Sequence, residues 1–157
     1  MRKLLSALIV GASFVGLATT SAMAVDSLVR FEGGIGVIPV SAGPTANVVR
    51  GISPGGQPWV IRELKASVGV DGHIKVDGRG LLFAGGNTIG TNGGQSVRAV
   101  LFCGNISQQS SLVPLETDGD FKIDEFLTTP PVNPCDNPAL LIVNAGNRWF
   151  AAGIPAE

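Results

Sequence analysis

The chain has 157 residues with a formal net charge of −1, 22 glycines, 10 prolines and no tyrosine. A chain of this size holds one core, and the charge excludes both the basic footprint of a nucleic-acid binder and a polybasic membrane patch. Abundant turn formers and short apolar runs predict many short strands.

Residues 1–24 read as a secretory signal peptide. Arg2 and Lys3 form a positive start, Leu4 to Ala18 is an apolar run, and Ala22-Met23-Ala24 is a small-x-small junction cut between Ala24 and Val25. The run is shorter than the roughly 20 residues a bilayer span needs, so no membrane span is expected after signal removal. Losing Arg2 and Lys3, two of the eleven cations, leaves residues 25–157 mildly acidic. These residues are expected to form one all-β domain, secreted or periplasmic.

Leu28 to Glu32, Gly36 to Val40 and Ala46 to Gly51 are the first candidate strands. Trp59 to Leu82 alternates apolar and polar residues on both sides of Asp71-Gly72 and reads as a β-hairpin. A two-residue Asp-Gly loop would set Val70 against His73 and Val68 against Lys75, mixing apolar and polar residues on one face. A three-residue loop, Val70-Asp71-Gly72 with Gly72 left-handed, instead sets Val68 opposite Ile74 and Ala66 opposite Val76. On the other face it pairs Glu63 with Arg79, Lys65 with Asp77 and Ser67 with Lys75, so opposite charges meet.

Gly85 to Gly94 reads as a loop that lacks either phosphate-binding glycine signature. Ser96 to Cys103 reads as a central strand with Val97, Ala99, Leu101 and Cys103 facing the core. Thr117-Asp118-Gly119 repeats the three-residue grammar and predicts a second hairpin, Leu115 opposite Phe121 and Val113 opposite Ile123, with Pro114 marking an edge. Thr128 to Pro134 is a loop. Ala139 to Val143 and Arg148 to Ala152 form a last pair about the turn Asn144 to Asn147. Strands of this number and spacing, each half-buried, predict an antiparallel β-sandwich of immunoglobulin-like type over a closed barrel.

Cys103 and Cys135 are an even pair in a chain bound for an oxidising compartment and are expected to form a disulfide. They offer no metal spacing, and the single histidine, His73, is far from both in sequence. Glu116, Asp118 and Asp120 flank one turn and are the calcium candidates, but no D-x-D-x-D-G loop accompanies them and alternating acids are the usual wet face of a hairpin. With one His and neither G-x-S-x-G nor Ser-x-x-Lys, no nucleophilic set is legible. No cofactor is implied. Trp149, near Asn144 and Asn147, is the candidate for stacking on a sugar or other small ligand.

Pro58-Trp59-Val60-Ile61, Asp71-Gly72 with Val76 to Leu82, Val97 to Cys103, and Cys135 followed by Leu141-Ile142-Val143 and Trp149-Phe150-Ala151 together resemble a loosely defined group of small exported bacterial β-domain proteins with one cysteine pair. The resemblance covers Gly56 to Gly153 and rests on strand cores. It implies a secreted, disulfide-bonded β-domain and transfers no catalytic or binding residue. A fainter likeness of Phe31 to Val40 to the opening of secreted CHRD-type domains covers too little to use.

The expectation is a non-enzymatic structural or protein-interaction module outside the cytoplasm, with a protein or surface partner and no nucleic acid. The alternatives are a secreted small-ligand or glycan-binding protein and, more weakly, a secreted hydrolase using the acidic hairpin.

Overall fold

The computed structural model describes residues 26–40 and 47–157. The expected signal peptide, its Ala24/Val25 junction and Ala46 lie outside the described residues. Strands run β1 (Ser27–Gly36), β2 (Trp59–Val60), β3 (Glu63–Gly69), β4 (His73–Arg79), β5 (Leu82–Phe83), β6 (Ser96–Cys103), β7 (Ile106–Gln109), β8 (Val113–Pro114), β9 (Phe121–Phe126), β10 (Ala139–Asn144) and β11 (Trp149–Pro155).

One antiparallel ladder links β7-β6-β10-β11-β1-β3-β4-β9, with β8 also on β6, and β2 pairs with β5 separately. The large sheet curls into a half-barrel. Past β9, Thr128 N donates to Gln109 O at 3.0 Å, and the Glu125 carboxylate accepts from Ser111 N, so the two ends of the ladder approach each other. The immunoglobulin-like sandwich is not confirmed. Half-buried strands satisfy their apolar faces equally well around a curl, where hydrogen bonding continues from strand to strand, as between two separate sheets.

The first hairpin forms in the expected register, with Glu63 opposite Arg79, Lys65 opposite Asp77, Ser67 opposite Lys75 and Val68 opposite Ile74. Gly72 takes φ 86° in its loop, the left-handed region where a Cβ is penalised. The same register resumes farther out, where Trp59 meets Phe83 and Val60 meets Leu82. Phe31, Leu64, Val68, Ile74, Leu101, Leu140 and Ile142 fill the inside of the curl.

Three expectations need correction. The first candidate strand runs on to Gly36 as β1, whose register shifts between Phe31 and Gly34 beside the positive-φ Gly33, and Gly36 to Val40 is not a strand of its own. Beyond Gly36 the chain leaves the ladder, although Val37 N still donates to Phe150 O at 2.8 Å. Val49 and Ile52 form only an isolated bridge, so Asn47 to Gly51 is no strand of the sheet.

The second hairpin is a corner. Its turn closes, with Glu116 N bonded to Asp120 O and Gly119 N to Glu116 O, both at 2.9 Å. The strands then part: Val113 pairs with Val97 on β6, while β9 pairs with β4 and places Ile123 opposite Val76. Leu81 N donates to Gly119 O and Gly80 N to Asp120 Oδ1, so the turn is tied to the end of β4 and β9 starts alongside that strand. Pro114 sits on the two-residue β8, which pairs only with β6, as an edge residue would.

At the β6–β10 end both sheet faces are apolar and buried, including Val100, Phe102, Leu141 and Val143 on the face turned away from the curl. The segment before β2 is anchored across this end. Arg50 donates to Gly104 O and Asn137 O, Trp149 N donates to Ser53 O, and Ile52 is buried.

Candidate functional site

The outer face of β1, β3, β4 and β9 carries charge in rows that the strand register dictates. Glu32 opposes Lys65, Lys65 opposes Asp77, and Asp77 opposes Lys122, giving one row of alternating sign across four strands. The next row is Arg30, Ser67, Lys75 and Asp124, and Glu63 faces Arg79 beyond. A shallow hollow of about 380 Å³ runs along the first two rows.

Ion pairs join neighbours within this face. Arg30 lies 2.8 Å from Glu32, Lys65 2.7 Å from Glu63, and Arg79 3.2 Å from Asp77. Weaker contacts connect Lys75 to Asp124 at 3.8 Å and Lys122 to Asp77 at 4.0 Å. The hydrogen bond and charge of Lys65 hold the Glu63 carboxyl below its ordinary pKa, and Glu63 in turn raises that of Lys65. All these side chains remain substantially exposed, so each pair is individually weak and screened by salt.

His73 is attached to this face, with Nε2 2.7 Å from Asp124 Oδ1 and its ring 5.0 Å from that of Phe126. No serine hydroxyl is hydrogen-bonded to His73 among the described residues, so the contact stops at a pair.

The candidate calcium ligands do not converge. Asp118 Oδ1 accepts from Asp120 N at 3.1 Å within the turn, and Asp120 Oδ1 accepts from Gly80 N and lies 3.6 Å from Arg62. Asp124 turns to His73 and Glu125 to Ser111 N. Among the described residues no three metal-ligating side chains gather.

Cys103 and Cys135 are disulfide-bonded, with Cα atoms 4.7 Å apart, tying the end of β6 to the chain before β10.

Trp149 does not offer its ring to a ligand. It is 6% exposed, and its Nε1–H donates to Asn47 O at 3.1 Å. Its position on β11 beneath the crossing segment decides this, and local sequence carried no sign of that cover. Asn147 N closes the turn onto Asn144 O. The Asn144 side chain lies elsewhere, in a hollow with Trp59, Phe83 and Phe150. The tryptophan beside Asn144's hollow is thus Trp59, brought there by the β2–β5 pairing.

No family model, curated protein or solved structure matches the chain.

Proposed function

We propose that the chain is an exported, non-enzymatic structural or protein-interaction module that works in the periplasm or outside the cell through the outer face of β1, β3, β4 and β9. The disulfide supports the compartment, since such bonds persist where conditions are oxidising.

The charge rows carry the reading. They are arranged oppositely about the seam between β3 and β4, and a half-turn along that seam sets Lys65 against Asp77 of a second copy. It likewise sets Glu63 against Arg79, Glu32 against Lys122 and Arg30 against Asp124. A face that meets its own opposite under a two-fold rotation is what an isologous dimer uses. The partner chosen is therefore a second copy of this chain, held by mixed charge and sensitive to salt.

Sedimentation velocity tests this. Association is expected at low salt and should disappear at high salt. Lys65→Glu should abolish it, and adding Asp77→Lys should restore it, because the pair is then reversed on both copies. A protein that stays monomeric at low salt, or a double variant that stays apart while folded by circular dichroism, overturns the reading.

A small-ligand reading draws its support from the hollow beside Trp59. The glycan reading built on Trp149 lacks an accessible ring, and the hydrolase reading lacks converging carboxylates among the described residues.

A further inference from the structure

The segment that crosses the β6–β10 end carries a two-residue turn, closed by Val49 N to Ile52 O at 3.0 Å and Ile52 N to Val49 O at 2.8 Å. Its corner residues, Arg50 and Gly51, have φ of 50° and 80°. Positive φ at both corners is the primed geometry that Asn-Gly or Gly-Gly fills with least strain. Among the described residues the other non-glycine positions with positive φ are Asn137 and Asn147, a residue type that tolerates it. An arginine there costs free energy that its surroundings must offset.

The offset lies at the far end of the side chain. Arg50 Nη1 donates to Gly104 O and Nη2 to Asn137 O, both at 3.0 Å. Gly104 follows Cys103 and Asn137 stands two places after Cys135, so one guanidinium fork spans both arms of the disulfide. The β6–β10 ladder reaches only to the Phe102–Ala139 pair. Beyond it the arms are joined by the disulfide itself and by Gly104 N donating to Asp136 O at 2.6 Å.

We infer that Cys103–Cys135 is a redox latch on this turn. The thiolate of a dithiol reductant attacks Sγ of Cys135, the less buried of the pair, and the Cys103 thiolate leaves. The reductant's second thiol then displaces Cys135 from the mixed disulfide, so the reductant ends as a disulfide and two electrons and two protons end on Cys103 and Cys135 as thiols. With the arms free to part, Gly104 O and Asn137 O lose the spacing that matches the fork. The strain at Arg50 is then no longer offset, and the turn lifts, taking Ile52 out of the core cluster where it is 7% exposed. Ser53 to Gly55 serve as the hinge, held by Trp149 N to Ser53 O and Gly55 N to Trp149 O. The loop closed by the bridge keeps its place, since β7 and β8 stay on β6 and β9 stays on β4.

Trypsin reads the latch directly, because it cuts after Arg50 and requires the turn to open. Mass spectrometry of the whole, disulfide-bonded protein should show slow cleavage at that bond. Protein reduced with dithiothreitol and desalted under nitrogen should be cut there about tenfold faster or more, the scale of releasing one or two hydrogen bonds that hold a local segment. Lys65 and Lys75, inside β3 and β4, should stay uncut over the same time. Arg50→Lys keeps the trypsin site but not the two-pronged fork, and it should lose most of the difference between oxidised and reduced protein. Replacing both cysteines by serine should give the fast cleavage with or without dithiothreitol. Unchanged cleavage after Arg50 on reduction, equal acceleration at Lys65 and Lys75, an undiminished redox difference in Arg50→Lys, or a response to dithiothreitol in the double serine variant overturns the latch. These results are independent of association through the charged face, so either proposal can fail alone.

Discussion

The Phe121 ring lies over Gly78, its cross-strand partner, so closely that a Cβ at residue 78 would sit 2.1 Å from the ring. Phe121 is 2% exposed and part of the core, so it has little room to withdraw. Gly78→Ala is therefore expected to destabilise the protein by about 1 to 3 kcal/mol, the usual cost of overpacking. Phe121→Leu in the same chain should recover part of that loss, because the two changes share one space and are not additive. Denaturant titration of the two single variants and the double variant measures it.

How much of this was legible follows from where the information lies. The β3–β4 register was readable because turn chemistry and alternation both act over a few residues, and Asp71-Gly72 with the charges around it admitted one loop length. The Thr117-Asp118-Gly119 turn was equally readable, but the strands leaving it were not. Whether Val113 continues beside Ile123 or crosses to Val97 depends on which strand edge is free in the folded sheet. The disulfide was readable from a count of two cysteines. The burial of Trp149 was not, because Asn47, Ser53 and Pro54 cover it from a hundred residues away in the chain.

Cys103–Cys135 closes a loop that includes β7, β8 and β9. Replacing both cysteines by serine is expected to lower stability by about 3 to 4 kcal/mol in the chain-entropy account. An alkylation assay on unreduced, denatured protein should find no free thiol. Two reactive thiols would separate the protein in solution from the bonded form described above.

Glu63 offers a test of the charged face that does not require association. Lys65 lowers its pKa, so the carboxylate contributes stability that is present above the unfolded-state pKa and lost as pH falls through the lower folded value. Lys65 works in the opposite sense: its raised pKa gives a contribution that is full below the unfolded value and lost as alkaline pH passes the folded one. A carbon-detected titration should place the Glu63 midpoint below that of an ordinary glutamate, and Lys65→Met should move it upward. Both side chains are substantially exposed, so raising the salt concentration should shrink the difference. A midpoint unmoved by Lys65→Met would mean that the pair at 2.7 Å is not populated in solution.

Export makes the sharpest demand on the chain as a whole. If residues 1–24 are removed as the small-x-small junction predicts, protein recovered from the periplasm or medium begins Val25-Asp26-Ser27. The cut falls just ahead of β1, which begins at Ser27 and occupies an interior place in the sheet between β11 and β3. Asp26 is already engaged, its carbonyl accepting from Val70 N at 3.1 Å. Cleavage a few residues later would remove that bond and the Ser27–Gly69 pairing, so a start after Ser27 should lower stability measurably against the Val25 start. Ala24→Leu, which disrupts the junction, should leave a longer cell-bound precursor. Mass spectrometry of the exported protein and of the retained precursor distinguishes these outcomes, and a cytoplasmic protein with residues 1–24 intact and both cysteines reduced would overturn the extracytoplasmic assignment on which the proposed function depends.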